Sequence, residues 1–455
     1  MKNYFHQRIK EFAGKADFID VRYEIRNKKH IQLVNNQMET PAVGAMSGGF
    51  VRALYKGGWG YATFNDRSQL ADMLEQAVKQ ARLAASKTFR LAPVKAVEAD
   101  IGLQTIHNPL DVPFADKVGI LRDYSEIALA HGGTVKQVRA AYTDDETTKY
   151  YVNSEGTALS QKGVDCYFSV AVTARKDGQS QFLHVSNGSS NDFHMIYGFE
   201  DKIRDICKEV EQLLIAPKVK SGTYTVIADP NLGGVFAHES FGHTMEADKL
   251  ISQPRLRDTL KIGRVFGSKE LTIYDSGRET GSRGFYHYDD EGVPSRKTYL
   301  LKDGVLVGRL HTRETAAILG EEPTGNARAV DFSYPPLVRM SCTCIDTGRY
   351  SLEDMLADID LGILAIDSHG GTGGEMFSFS ASKGYMIRKG KIQELVRDVK
   401  LSGNLFATLK NIDMVGKDLV VHESSGGCGK GGQFPLPVAT GAPYMRMRDV
   451  SVGGE

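Results

Sequence analysis

Two imidazoles and a carboxylate fall within the six residues His238-Glu239-Ser240-Phe241-Gly242-His243, at a spacing that constrains the local backbone more than anything else in the chain. The common helical zinc signature sets its histidines at i and i+4, which puts both on one helix face beside an intervening Glu that acts as general base. Here the second histidine comes one residue later. On a regular helix an i to i+5 step is about 500°, which would point the two side chains roughly 140° apart. For both to meet one metal ion, the helix must loosen before His243. Gly242 stands where that costs least, because a residue without Cβ can turn left-handed or end a helix. A competing reading makes His238 a core residue, Glu239 a solvent-facing one and His243 a helix cap. The lead-in weighs against it. Residues 223–228 read as a strand, Asp229-Pro230-Asn231 as a turn with a capping residue, and 232–237 as the first turns of a helix, so both groups ride on a rigid strand-helix unit. The expectation is the core of a zinc hydrolase site.

Catalytic zinc takes a third protein ligand and keeps a position open for water, and without an extended motif that ligand must come from far along the chain. Cys428 is the best candidate. It stands in Ser424-Ser425-Gly426-Gly427-Cys428-Gly429-Lys430-Gly431-Gly432, too glycine-rich for a helix or an ordinary strand. Glycines on both sides let the backbone carry a thiolate close to a metal, and Lys430 nearby is expected to favour the charged sulfur. A phosphate loop, the rival reading of Gly429-Lys430, fails on spacing: its earlier glycine would be Ser424 and its hydroxyl residue would be Gly431.

The 455 residues suffice for two to three domains with proper cores, and 41% hydrophobic with 25% charged residues is ordinary for a globular protein. Lys and Arg number 56 and Asp and Glu 56, so no overall field recruits nucleic acid or an anionic membrane. No signal-like apolar segment follows Met1 and no run of roughly 18 apolar residues occurs, which gives the expectation of a cytoplasmic protein that spans no membrane. Five cysteines form no CxxC pair, and Cys342 and Cys344 alternate along one strand face, so no disulfide framework is expected. The 48 glycines suit a β-rich chain with many tight turns.

In order, the pattern predicts a short helix over 2–16, strands over 18–25 and 30–35 around a turn at Arg26-Asn27-Lys28, and a hairpin of 48–55 with 59–64 joined by Lys56-Gly57-Gly58. Asn65 or Asp66 caps a helix with Leu70, Met73, Leu74, Ala77, Val78 and Ala81 recurring at helical spacing. A connector over 87–112 leads to a helix with Ile120, Leu121, Tyr124, Ile127 and Ala128 on one face, ended by Gly132-Gly133. Strands then fill 135–185, and a helix over 201–214 closes the region. Residues 216–222 read as a linker. Beyond them come strands and glycine turns, with hairpins at Lys302-Asp303-Gly304 and Arg388-Lys389-Gly390. The fold class is therefore α+β: a hairpin-and-helix domain over 1–216, then a β-rich antiparallel domain over 217–455 carrying the histidine helix. Asp289-Asp290-Glu291-Gly292 lacks the spaced acidic pattern of a calcium loop and reads as a solvated turn. His287 and His369 are not expected to be ligands, and 370–374 reads as a substrate-facing or structural loop.

Taken together, the 238–243 motif with Glu246 and Asp248 behind it, Asp289-Asp290-Glu291-Gly292-Val293-Pro294, Pro323-Thr324-Gly325-Asn326-Ala327-Arg328, Gly426-Gly427-Cys428-Gly429-Lys430 and the tail Val450-Ser451-Val452-Gly453-Gly454 closely resemble the TldD and PmbA family of zinc peptidases. The likeness spans nearly the whole chain. It implies cytosolic proteolysis of peptides and unfolded proteins, including maturation of a peptide antibiotic, and an older label as a modulator of DNA gyrase that does not mean DNA binding. TldD-like members keep the histidine motif and PmbA-like members lose it; this chain keeps it. Carried over residue by residue, His238, His243 and Cys428 are the implied Zn2+ ligands and Glu239 the implied base. The implied assembly is a homodimer or a heterodimer with a PmbA-like paralogue. The runner-up function is a noncatalytic peptide-binding or regulatory protein with a structural zinc, which an intact Glu239 and only three side-chain ligands argue against.

Overall fold

The computed structural model describes residues 1–87, 89–423 and 426–453; Ser424 and Ser425 of the glycine stretch and Gly454 of the tail lie outside the described residues. Among the described residues the first part of the chain forms one eight-stranded sheet. Strand Phe18–Val34 lies between Ala42–Tyr55 and Val135–Asn153, with Ala158–Lys176 and Gln179–Ser189 following outward. The expected turn at Arg26-Asn27-Lys28 is instead the middle of a 17-residue strand. Its polar residues find partners across the register: Arg26 Nη2 meets Asp145 Oδ2 at 2.5 Å and Asn27 Nδ2 donates to Glu146 Oε2 at 3.1 Å. A run that reads as a turn when its neighbours are unseen is satisfied as strand once they are present.

Alternation along Phe18–Val34 puts Ile19, Val21, Tyr23, Ile31 and Leu33 on one face. Helices Lys2–Lys10 and Leu70–Leu83 cover one end of that face, and Phe114–Ala130 with Glu200–Ile215 cover the other. Local chemistry sets the ends: Asp66 accepts from Ser68 N–H in a capping box ahead of Leu70–Leu83, and the hairpin before it turns on Lys56 and Gly57 at φ 45° and 78°.

From Gly222 the chain builds a second system. Strands Gly222–Ala228, Met445–Gly453, Lys400–Asn404, Met376–Arg388 and Leu361–Thr372 pair in that order, and the last returns to the first, so the sheet closes on itself. Pairing is antiparallel except between Gly222–Ala228 and Leu361–Thr372. A further sheet runs Val305–Leu306, Lys297–Lys302, Ile273–Ser276, Cys342–Ile345, Ala439–Ala442, Val420–His422, with a second parallel pairing between Cys342–Ile345 and Ala439–Ala442. Both parallel pairs flank the short helix Pro230–Phe236, which packs between the two sheets. A strand that feeds straight into a helix across its own sheet produces that arrangement.

The other face of Phe18–Val34 carries Asp20, Arg22 and Glu24, all buried, and meets the acidic run 289–291. That run is no solvated turn. Asp290 Oδ1 takes Lys149 Nζ at 2.9 Å, Glu291 Oε1 takes Arg52 Nη1 at 2.9 Å, and Asp289 accepts from the N–H groups of Glu291, Val293 and Ala327. Its cations sit more than a hundred residues away in sequence, which is why the run alone reads as solvated. The five cysteines are free thiols, with Cys342 and Cys344 Sγ 3.6 Å apart on one strand face. No described helix is long and apolar enough to cross a membrane.

Candidate metal centre

Asp229 ends the strand Gly222–Ala228 and caps the next helix, its Oδ1 accepting from Leu232 N–H at 2.9 Å with Pro230 in the first helical position. The helix Pro230–Phe236 then widens into a π turn over Ala237–Gly242 and tightens into a 3-10 turn over His243–Met245. The N–H of His243 donates to the carbonyl of His238, an i to i+5 bond that brings residues five apart onto one side. The helix loosens as the spacing requires, but Gly242 does not turn left-handed: its φ and ψ are −55° and −57°. It is small for a packing reason, since a Cβ there would lie 2.1 Å from Met340 Sδ.

The structure brings His238, His243 and Cys428 together, their ligand atoms all within 4.8 Å of one another. The rings of His238 and His243 meet edge to face with centroids 5.2 Å apart, and Cys428 Sγ lies 3.4 Å from His243 Nε2. Glu239 stands beside them, a third exposed, with Oε2 3.9 Å from His243 Nε2. Cys428 begins the short strand Cys428–Lys430, whose hairpin partner is Gln433–Leu436.

Both histidines are oriented from behind. Thr343 Oγ1 donates its hydrogen to Asp275 Oδ1 at 3.0 Å, so it can only accept from His238 Nδ1–H at 3.4 Å. Asp275 is buried and accepts also from Ser341 and Asn326. His243 Nδ1–H donates to Glu246 Oε2 at 2.9 Å. Each ring thereby presents Nε2 to the centre, as buried partners commonly arrange for metal-binding imidazoles.

Burial opposes charge on Cys428, but the facing His238 and the hydrogen bonds to both histidines hold its thiol down at about 4. Burial likewise opposes charge on His243, which Cys428 and Glu246 outweigh, raising it to about 10. The centre thus favours a thiolate. Lys430 is not the cause: its ammonium lies 3.1 Å from Glu246 Oε2 and 2.6 Å from Asp248 Oδ2, and donates to the Val338 carbonyl at 2.8 Å. Two imidazoles and a thiolate, with no fourth side chain in the group among the described residues, fit zinc with an open position.

Sequence reasoning named the candidate donors and Glu239, and noted Glu246 behind the motif without giving it a role, but missed Asp275 and Thr343. Glu246 had a local signal, three residues after His243; Asp275 and Thr343 had none. A second group, His107, Asp192 and His194, also gathers within 4.8 Å. Its rings stack at 3.4 Å and 13°, and His107 Nδ1 pairs with Asp192 Oδ1 at 2.9 Å. Parallel rings do not aim their nitrogens at one point, so this cluster is a stacked pair of imidazoles with one of them hydrogen-bonded to Asp192. His369 packs on Phe182 at 4.2 Å, and His287 on Phe285 at 5.0 Å.

Comparison with known proteins defines the class first. Family models described as PmbA/TldA metallopeptidase domain 1, central domain and C-terminal domain match residues 19–81, 107–216 and 221–454. The chain belongs to the PmbA/TldD metallopeptidase family. A protein of Synechocystis sp. named a metalloprotease is 41% identical, with 98% of this chain and 97% of that protein covered. A Saccharolobus solfataricus protein named a zinc metalloprotease TldD homolog is 27% identical over 96% of this chain and 97% of its own. The fold is shared with a crystal structure from Thermotoga maritima called a putative modulator of a DNA gyrase, at TM-score 0.80 and 20% identity with all of both chains covered. It is shared also with TldE from Thermococcus kodakarensis, at TM-score 0.76 and 18% identity over the same full coverage.

Proposed function

We propose that this chain is a zinc-dependent peptidase acting on peptides and unfolded polypeptides, with His238, His243 and Cys428 as ligands and Glu239 as general base. The observation that carries the reading is the meeting of two imidazoles and a favoured thiolate within 4.8 Å, with a carboxylate at their open side. Relatives named metalloproteases, one of them a zinc metalloprotease, support it. Zinc held there would supply Lewis acidity, lowering the pKa of a water towards ~7 and polarising a peptide carbonyl. Glu239 would take the proton from the attacking water and pass it to the leaving amine. With zinc bound and the His243 proton displaced, Thr343 with Asp275, and Glu246, would hold the hydrogen on each Nδ1 and so turn both Nε2 atoms to the ion.

Beside Glu239 the strand Leu361–Thr372 pairs with Gly222–Ala228 only as far as Ala365, while its far edge stays paired with Met376–Arg388 to Thr372 across a register shift between Ser368 and Gly371. An extended substrate added along such an edge gains main-chain hydrogen bonds with little sequence demand, whereas a folded protein cannot offer a free strand. The same reading has the parts 1–216 and 217–455 working as two units. It includes pairing with a second copy or a PmbA-like paralogue in the cytoplasm, and no nucleic-acid or membrane partner.

The test is to offer one small protein as a stable fold and as a destabilised mutant of nearly the same sequence, with and without a chelator. The destabilised form should be cleaved at loose sequence positions, the stable form barely, and chelation should stop cleavage until zinc is restored. Equal cleavage of both forms would refute the strand-addition argument, and chelator-resistant cleavage would refute the metal.

A further inference from the structure

The group behind His243 is built differently from the group behind His238. Thr343 and Asp275 lie on neighbouring strands of one sheet. Glu246 is wholly buried, and its backbone is pinned to another segment, with Ala247 N–H donating to the Leu310 carbonyl at 3.1 Å and Leu310 N–H to that of Met245 at 3.0 Å. A buried carboxylate needs more than one imidazole N–H to stay ionised. The further counter-charge is Lys430, which arrives from the Cys428 hairpin, 182 residues beyond Asp248, and brings its ammonium to 3.1 Å from Glu246 Oε2.

Lys430 Nζ donates to the Val338 carbonyl at 2.8 Å and to Asp248 Oδ1 at 2.9 Å, and its charge lies 3.1 Å from Glu246 Oε2 as an ion pair. Cys428 and Lys430 stand two apart on one short strand, where alternate side chains leave the same face. That face therefore offers a thiolate to His243 Nε2 and an ammonium to the carboxylate on His243 Nδ1. The two contacts grip one imidazole from both ends of its ring.

We propose that Lys430 is a positioning residue of the metal centre, a clamp that fixes Glu246 against His243 and sets the Cys428 hairpin at ligand distance. It rests on the zinc reading above. The clamp explains the short Cys428-Gly429-Lys430 spacing. Moving the lysine by one residue would send it to the opposite face, where Gly429 lies against Phe434, its would-be Cβ 3.4 Å from Phe434 Cδ2. It also makes the two remote ligand segments interdependent: loosening Lys430 disturbs Cys428 as well as His243, although Lys430 touches no metal.

The experiment compares full-length wild type with Lys430→Met, Lys430→Gln and Lys430→Arg. It uses zinc affinity by chelator competition and the thiolate-to-cobalt absorption band of the Co2+-loaded proteins. Lys430→Met and Lys430→Gln should bind zinc about 10 to 100-fold more weakly, the range seen when groups behind metal ligands are lost, and should show a shifted or weakened cobalt band. Lys430→Arg should recover most of both. A merely structural lysine would lower the melting temperature of the metal-free protein yet leave affinity and cobalt band unchanged. That result in whichever neutral variant folds would overturn the proposal while leaving the zinc reading intact. If wild type itself bound no zinc, the zinc reading would fall, and this inference with it.

Discussion

At Cys428 two opposing effects meet. Burial favours the neutral thiol, while His238 and His243 favour the thiolate, and the imidazoles win, holding the group at about 4 where a free thiol titrates near 8.5. Serine in its place offers an oxygen that stays protonated at neutral pH. Cys428→Ser is therefore expected to fall from about one zinc per chain to little or none, an affinity loss above about 100-fold, since losing even an outer partner costs 10 to 100-fold. Metal analysis after gel filtration reads this directly, and unchanged zinc would remove Cys428 from the site. At this scale the sequence was most legible for groups whose chemistry is rare: two histidines and a glutamate in six residues, and a cysteine among glycines. It was least legible for Lys430, whose nearest sequence neighbour of interest is the thiol but whose charge partners, Glu246 and Asp248, come from the histidine segment.

Secondary-structure elements position these side chains through contacts that leave no room for a Cβ. Gly373, just past strand Leu361–Thr372, is pressed against the histidine turn: a Cβ there would sit 1.9 Å from the Glu239 carbonyl oxygen, with backbone on both sides and nothing flexible to yield. Gly373→Ala should displace Glu239 by a fraction of an ångström to an ångström and cut peptide turnover by up to about 100-fold. Zinc content should hold, because neither ligand histidine is pushed directly. Turnover within a factor of two of wild type would show that the loop does not set the base.

The cap Asp229 gives a pH signature. Burial first, with Asp367 adding to it, outweighs two backbone N–H donors and raises its carboxyl to about 6, above the ~4 of an unfolded Asp. A raised carboxyl stabilises the fold while protonated, so its contribution is complete below about pH 4 and is lost as pH climbs through about 6. Asp229→Asn keeps a capping oxygen without that charge. Relative to it, wild type should lose thermal stability between about pH 4 and 6 and run parallel above. A difference constant with pH would contradict the assignment.

Hairpins were readable at this scale because Lys56-Gly57, Asp303-Gly304 and Lys389-Gly390 supply the positive φ their turns demand. Arg26-Asn27-Lys28 was not, because polarity marks a turn only when no neighbouring strand answers it.

For the molecule as a whole, the candidate metal centre follows the helix Pro230–Phe236 where it passes between a closed sheet and a second sheet, and a buried ionic seam joins this half to the N-terminal sheet. The α+β class and the turn from helices and hairpins to a β-rich half could be read from periodicity and glycine. The ring closure, the two parallel pairings and the role of 289–291 could not, since each depends on partners far apart in the chain. The account holds that the donors bind and a separate carboxylate reacts. The most direct test is turnover of an unstructured peptide by zinc-loaded Glu239→Ala, with metal content measured on the same sample. The account predicts wild-type zinc and cleavage reduced to background; wild-type zinc with wild-type turnover would contradict it.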